Sequence, residues 1–338
     1  MTRIPVKIIA EIGINHNGNL KRAYKLAQYA IDCGADSVKF QTAVPELVQT
    51  INAPKAKYQT SKDNDELSAL ELSKGFHLKL DDYIGLKKFI EESGKEFLST
   101  AFDNKSIEFL HSIGMKTFKI PSGEITNLPY LEHIALVAEK IIISTGLATI
   151  EEIKNALDIF KNIDKKNITI MQCNSAYPTP TIDSNILAMQ EMGKIFKVAV
   201  GYSDHTVGPY AAYAAVALGA EIIEKHITIN KLDSGPDHKS SMTIEEFNEF
   251  IVGIREIEKS LGSSVKQVTN SAMENMKIVR RGIYLAKPKK KGETIDSNDL
   301  ITLRPENGTS PMSIKLFIGK KLTVNKNFQD PINLNEVE

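Results

Sequence analysis

Residues 198–226 read VAVGYSDHTVGPYAAYAAVALGAEIIEKH, and the fold turns on them. A short β-rich apolar run, Val198–Tyr202, ends in Ser203-Asp204-His205. An alanine-rich helical pattern spans Gly208–Leu218, and a second β-rich run, Glu221–His226, follows. Strand, helix and strand in so few residues make a βαβ unit, the crossover that two parallel strands require. Working back to the N-terminus, the same alternation recurs. Strands are expected at Lys7–Ile12, Ser37–Gln41, Phe97–Thr100, Thr117–Ile120, Lys140–Ser144 and Ile168–Cys173. Helices are expected near Leu20–Cys33, Leu80–Ser93, Asn104–Ile113, Leu128–Val137, Ile150–Phe160, Asn185–Met192 and, after the last strand, Thr243–Leu261. Thr243 stands ahead of Glu245 and Glu246, a capping residue before acidic first-turn positions. Eight strands, each followed by a helix, match an α/β fold of the (β/α)8 TIM-barrel type in number, order and size. An open doubly wound sheet permits the same alternation. Against it, no Gly-x-Gly-x-x-Gly follows the first strand and the count stops at eight.

The pattern changes after Leu261. Residues 1–262 form the expected barrel domain, 263–278 read as a polar linker, and 279–338 read as a small β-rich domain of short strands. Its strands are broken by Lys289-Lys-Lys-Gly-Glu293 and Arg304-Pro-Glu-Asn-Gly308. Within the barrel, residues 43–75 are irregular and too long for a passive connection, and a lid over the barrel mouth is expected there.

Composition narrows the class. Among 338 residues, Lys+Arg and Asp+Glu are 42 each, so there is no basic surplus to hold nucleic acid or an anionic membrane. Trp is absent and aromatics are 7%, which leaves little for a base-stacking platform. No apolar run approaches the roughly 18 residues of a membrane span. The N-terminal Met1-Thr-Arg-Ile-Pro-Val-Lys7 does not read as a secretory signal. Two cysteines, Cys33 and Cys173, make no disulfide framework. A cytoplasmic enzyme is the expectation.

Active-site groups of a TIM barrel come from the C-terminal ends of its strands and the loops beyond. All eight ends are polar here: Glu11 with Asn15-His16-Asn17, Lys39 with Gln41, Ser99-Thr100, Lys119 with Ser122-Gly123-Glu124, Ser144-Thr145, Asn174-Ser175 with Tyr177, Ser203-Asp204-His205, and Glu224 with His226 and Asp237-His238-Lys239. A single strand lysine is ordinarily one that snorkels between helices. Two, Lys39 and Lys119, near one barrel mouth need anionic partners, and the strands offer Glu11, Glu124 and Glu224. Hydroxyls and glycine turns around them suit a doubly anionic small substrate. His205 and His226 end neighbouring strands about 4.8 Å apart, so both imidazoles reach one metal. Without a Cys cluster or His-Glu-x-x-His this is an open site, suited to Mn2+ or Mg2+. Taken singly, each histidine reads as a hydrogen-bonded core residue.

These residues resemble the sialic acid synthase family, whose members make nine-carbon nonulosonic acids. The matching stretches are Ala10-Glu-Ile-Gly-Ile-Asn-His-Asn-Gly18, Val38-Lys-Phe-Gln-Thr42, Phe118-Lys-Ile-Pro-Ser-Gly-Glu124, Ile143-Ser-Thr-Gly146, Tyr177-Pro-Thr-Pro180, Gly201-Tyr-Ser-Asp-His-Thr206, Ile223-Glu-Lys-His226 and Ser234-Gly-Pro-Asp-His238. The tail resembles the family's antifreeze-like (SAF) domain. The resemblance implies a domain-swapped homodimer in which phosphoenolpyruvate condenses with an N-acetylated mannosamine-type sugar, releasing phosphate. N-acetylmannosamine, giving N-acetylneuraminate, is the first expectation. The alternative acceptor is 2,4-diacetamido-2,4,6-trideoxymannose, giving N,N'-diacetyllegionaminate, and pseudaminate synthesis stays open. By carry-over, His205 and His226 are the metal ligands, and Lys39, Thr100, Lys119, Ser122, Ser144 and Ser203 cradle phosphoenolpyruvate. Glu11, Gln41, Tyr177 and Asp237 contact the sugar, Glu124 or Asp237 assists water, and Arg304 reaches across the dimer. Ser175, where some members have Asn, is counted with the substrate contacts. A metal-dependent hydrolase using the histidine pair and a non-catalytic carbohydrate binder are the readings from other classes. The two lysines oppose the first, and eight polar strand ends oppose the second.

Overall fold

Strand β1 (Lys7–Gly13) sets the pattern that the other strands repeat. Its alternate residues Ile8, Ala10 and Ile12 face outward against helices, while Lys7, Ile9 and Glu11 face the barrel axis. The computed structural model describes residues 4–55 and 68–338. The chain continues through α1 (Leu20–Asp32), β2 (Ser37–Thr42), α2 (Ala69–Phe76), α3 (Asp82–Glu92), β3 (Glu96–Ala101) and α4 (Asn104–Ser112). Next come β4 (Thr117–Ile120), α5 (Leu128–Val137), β5 (Lys140–Ser144), α6 (Ile150–Ile159), β6 (Ile168–Gln172) and α7 (Leu187–Phe196). The series ends with β7 (Ala199–Asp204), α8 (Tyr210–Ala217), β8 (Ile222–His226) and α9 (Ile244–Leu261). All paired strands of the eight-stranded sheet are parallel, in the order β3-β2-β1-β8-β7-β6-β5-β4. The first strand therefore lies between the second and the last, and β3 lies beside β4 at the remaining seam. This is the (β/α)8 barrel expected from the sequence.

Two apolar layers hold it. Outward strand residues such as Phe40, Phe97, Phe118 and Ile143 pack on Leu26, Leu86, Ile134 and Phe250 of the helices. Phe40 and Phe97 stack at 5.9 Å between centroids. Truncating such a buried phenylalanine to alanine costs about 3–5 kcal/mol. The inner layer, Ile9, Leu98, Ile142, Met171 and Ile222, plugs the barrel beneath its mouth. Helix starts are written in the sequence: Thr149 with Glu152 and Thr243 with Glu246 form reciprocal capping boxes.

Two expectations need correction. Residues 43–75 are not wholly irregular: a 3-10 turn covers Pro45–Leu47, and α2 is started by a Ser68–Glu71 capping box. The stretch 56–67 of the expected lid lies outside the described residues. The expected linker 263–278 contains most of a helix, α10 (Asn270–Val279). None of its residues is buried, so it has no apolar stripe from which a helical period could be read.

The chain divides into two compact units, Met1–Gly262 and Ser263–Glu338. The second has its own core of Ile283, Leu285, Ile295, Leu300, Phe317, Leu322 and Ile332. It is less β-rich than its sequence implied: one antiparallel pair, β9 (Gly282–Leu285) with β10 (Leu300–Leu303), is joined to isolated bridges and 3-10 turns. Among the described residues, no helix is long and apolar enough to cross a membrane.

Candidate active site

Period-two alternation builds the site. Two residues beyond the apolar plug, the inward positions become Glu11, Thr100, Ser144 and Glu224, and Lys39, Lys119, Ser203 and His226 join them at the mouth, all buried. Register brings them together: Glu11 pairs with Lys39 on one side and His226 on the other, and Ser203 pairs with Glu224. They line one cavity of about 560 Å³ with Gln41, Ser122, Ser175, Tyr177, His205 and Asp237. Gly13 closes the corner with φ +56°; a Cβ there would stand 3.2 Å from both Gln41 Nε2 and Glu11 Oε1.

At the floor, two ammoniums face two carboxylates. Lys39 Nζ lies 2.8 Å from Glu11 Oε2, 3.7 Å from Glu224 Oε2 and 2.9 Å from Thr100 Oγ1. Lys119 Nζ donates to both oxygens of Glu224 at 2.9 Å, and Ser203 Oγ donates to the same carboxylate at 3.1 Å. Burial would raise Glu224, but Lys119 and Lys39 more than reverse it and hold the carboxyl well below its usual range. Burial pushes Glu11 up to about 7, against the opposing pull of Lys39 and with the help of the Glu224 charge. Burial also works against charge on both lysines. For Lys39 the carboxylates outweigh it, whereas Lys119 stays below the ordinary lysine value.

The two histidines sit above this floor, ring centroids 5.4 Å apart. His205 Nδ1 bonds the Asn174 carbonyl at 2.6 Å, so it carries the proton and Nε2 keeps its lone pair. Burial lowers His205 to about 4 and holds His226 well below its ordinary value, so both rings are neutral, as metal ligands must be. His226 Nδ1 is buried without a hydrogen-bond partner, and Asp237 Oδ2 lies 3.6 Å from it. Burial raises Asp237 to about 6. Among the described residues, no group of three or more His, Cys, Asp or Glu is arranged to hold a metal. The donor set therefore fits an open site with two imidazoles, not a closed structural one.

The remaining expected residues divide. Gln41 Nε2 donates to Glu11 at 3.3 Å, Ser122 and Ser175 Oγ are 3.2 Å apart, and Ser144 Oγ is buried without a partner. The Tyr177 ring lies over His205 at 4.1 Å between centroids. Glu124 is not brought into the cavity. It sits in the turn after β4 with its carboxylate accepting from Asn127 Nδ2 at 2.6 Å, because that turn winds directly into α5. Arg304 is an exposed residue of the second unit, directly after β10. Glu224, in sequence one of three carboxylates near the lysines, is the shared counter-ion of both. Its signal was present, since it shares a strand face with His226. The apolar part of the wall, Val48, Leu72, Phe76, Phe102, Leu147 and Leu232, comes from loops and α2, where no periodicity marks it.

A parallel (β/α)8 barrel with paired lysines and a histidine pair at its C-terminal mouth defines an enzyme for anionic small substrates. The model of the NeuB family matches residues 26–266, and the chain belongs to that family. It is 45% identical over 320 residues to N,N'-diacetyllegionaminic acid synthase of Campylobacter jejuni subsp. jejuni serotype O:2, covering 94% of this chain and 96% of the relative. It is 34% identical over 331 residues to N-acetylneuraminate-9-phosphate synthase of Homo sapiens, covering 97% and 91%. The crystal structure of N-acetylneuraminic acid synthetase from Leptospira borgpetersenii serovar Hardjo-bovis, in complex with citrate, superposes with a TM-score of 0.70 at 31% identity, covering 81% and 90%. The protein is a phosphoenolpyruvate-dependent nonulosonic acid synthase.

Proposed function

We propose that this enzyme condenses phosphoenolpyruvate with 2,4-diacetamido-2,4,6-trideoxymannose, giving N,N'-diacetyllegionaminate and phosphate. One observation carries the chemistry: two buried ammoniums and two neutral imidazoles face a single cavity at the barrel mouth. The choice of sugar follows the 45% identical relative rather than the first sequence expectation, N-acetylmannosamine. The apolar wall of Val48, Leu72, Phe76 and Leu147 is suited to the deoxy methyl and acetamido methyls of that acceptor.

Lys39 and Lys119 hold the anionic groups of phosphoenolpyruvate by charge, with the hydroxyls of Thr100, Ser122, Ser144 and Ser203 completing the cradle. Holding C3 against the acceptor aldehyde converts an encounter into a positioned step. A divalent ion, Mn2+ or Mg2+, held by His205 and His226 supplies Lewis-acid polarisation of the aldehyde oxygen when bound. The C3–C1 bond forms, Glu11 gives its proton to the developing alkoxide, and Glu224 stabilises positive charge at C2. Asp237 takes the proton of the water that adds at C2, and phosphate leaves with C–O cleavage. The second unit serves in this reading as an antifreeze-like domain of a swapped homodimer, with Arg304 reaching the sugar's acetamido group in the partner subunit's barrel.

The test is phosphate release from phosphoenolpyruvate with Mn2+, run with each sugar and with EDTA. Metal-dependent release with the diacetamido-trideoxy sugar is expected. Release with N-acetylmannosamine alone would replace the acceptor, and no release with either sugar in folded protein would overturn the reading.

A further inference from the structure

On β7 and β8 the residues that alternate with the site's own face outward, and two of them are charged. Asp204 and Lys225 are both fully buried between barrel and helices, and neither lines the cavity. The Lys225 ammonium has three hydrogens and three acceptors: Asp204 Oδ2 at 2.8 Å, Thr206 O at 2.6 Å and Gly208 O at 3.2 Å. The other Asp204 oxygen accepts from the Thr206 amide and hydroxyl, both at 2.8 Å. The turn 204–208 is thus clamped on both sides of His205. From there the clamp extends further, because the His205 carbonyl accepts from the Thr179 amide at 2.9 Å and Thr179 follows Tyr177 and Pro178. A buried ammonium needs an acceptor for each of its three hydrogens, and here two of the three are drawn from one turn. Both of those carbonyls, Thr206 and Gly208, lie just beyond His205, so satisfying the lysine also fixes the path of the chain that carries the histidine.

We propose that Lys225 is a positioning residue: by spanning from β8 to the turn after β7, it fixes His205 relative to His226 and seats the Tyr177 ring above it. Its consequence for metal affinity rests on the reading of the two histidines as ligands; its geometry does not. Partners that orient ligating histidines commonly change metal affinity 10–100-fold when removed.

The principal variant is Lys225→Met combined with Asp204→Asn. It removes both charges together, so no lone buried ion remains, and it keeps an acceptor for Thr206. Lys225→Arg is the second variant, retaining the ion pair while its planar fork cannot reproduce the three-point clamp. Each is compared with wild type by hydrogen exchange at the Thr179 and Thr206 amides, by free-Mn2+ titration using electron paramagnetic resonance, and by thermal unfolding. Folded variants are expected to exchange those two amides at least tenfold faster, with the amides of β8 unchanged, and to bind Mn2+ about tenfold or more weakly. Unchanged exchange in a folded variant overturns the proposal, as does faster exchange with unchanged Mn2+ affinity. Wild-type protein that binds no Mn2+ overturns the metal reading instead, and the exchange result then judges Lys225 by itself.

Discussion

Glu224→Gln separates the two tasks of the charged floor. The carboxylate takes both hydrogen bonds of Lys119 at 2.9 Å and one from Ser203 at 3.1 Å, and lies 3.7 Å from Lys39. The side chains of all three charged residues are at most 5% exposed. Glutamine keeps the shape and one acceptor but removes a negative charge, with two opposed results. In the free protein Lys119 loses its carboxylate, and breaking a buried pair in this way costs about 3–5 kcal/mol. In the complex, an incoming phosphate no longer meets that charge from across the ammoniums. At a separation of about 6 Å and an effective dielectric near 20, the relieved repulsion is about 3 kcal/mol. Proton loss from Lys119, already held below the ordinary lysine value by burial, cancels part of it. The expected net is about tenfold tighter phosphate binding, roughly 1.4 kcal/mol, in a less stable protein. Turnover should fall about 100-fold, because the charge proposed to stabilise the cationic C2 centre is gone. Calorimetric titration with inorganic phosphate, urea unfolding with and without phosphate, and steady-state kinetics read the three effects separately. Weaker phosphate binding together with unchanged kcat would refute the reasoning.

Three other outcomes follow from the same structure. Lys119→Met leaves Glu224 with Lys39 as its nearest cation, 3.7 Å away, so a protein less stable by about 3 kcal/mol is expected, with kcat/KM for phosphoenolpyruvate lowered at least 1000-fold; near-normal turnover in the folded variant excludes its assigned role. His16 is buried beneath the first loop, with Nδ1 accepting from the Gly18 amide at 3.2 Å, and burial lowers it from 6.5 to about 3. The unfolded imidazole therefore takes a proton below about pH 6.5 while the folded one stays neutral until about 3, so wild type loses stability as pH falls through that window. His16→Asn keeps the acceptor and removes the titration, so its urea stability should gain on wild type by about 1.5 kcal/mol between pH 6.5 and 5, and parallel profiles would contradict this. A chain ending at Gly262 should fold, because the two units have separate cores, yet lose sugar-dependent phosphate release. Full activity in that shortened chain would remove Arg304 from the site.

What could be read from sequence was what repeats every two residues. Ile9 then Glu11, Leu98 then Thr100, Ile142 then Ser144, and Ile222 then Glu224 each step from apolar plug to polar mouth along one strand face. That step announced both the barrel and its site. Strand faces are silent about turns: nothing in Ser122-Gly-Glu124 showed that Glu124 would be turned toward Asn127. They are equally silent about α10, whose residues bury no face, and about Lys225, which in sequence is one more lysine between two residues of the site. Its three acceptors come from the next strand and its turn, a relation that only register creates.

The same division bears on why relatives share chemistry but differ in product. Every group assigned to the phosphoenolpyruvate floor, apart from Ser122, lies on a barrel strand: Lys39, Thr100, Lys119, Ser144, Ser203 and Glu224. Strands are braced by neighbours on both sides, and the plug beneath fixes their height. The apolar wall that we propose faces the acceptor comes instead from Val48, Leu72, Phe76 and Leu147, with Phe102 and Leu232 beside them, carried on loops and on α2. Val48, Leu147 and Leu232 are exposed at the mouth. Exposed loop residues tolerate substitution with little cost to the core, whereas an added or missing methyl there changes acceptor preference by about 1–3 kcal/mol. A barrel divided in this way holds the condensation constant while its acceptor drifts, which matches a chain 45% identical to a synthase of one nonulosonic acid and 34% identical to a synthase of another. Exchanging Leu147 and Leu232 for polar residues should therefore shift the ratio of kcat/KM between the two sugars while leaving the affinity for inorganic phosphate within twofold. Loss of phosphate affinity in those variants would show that floor and wall are not separable.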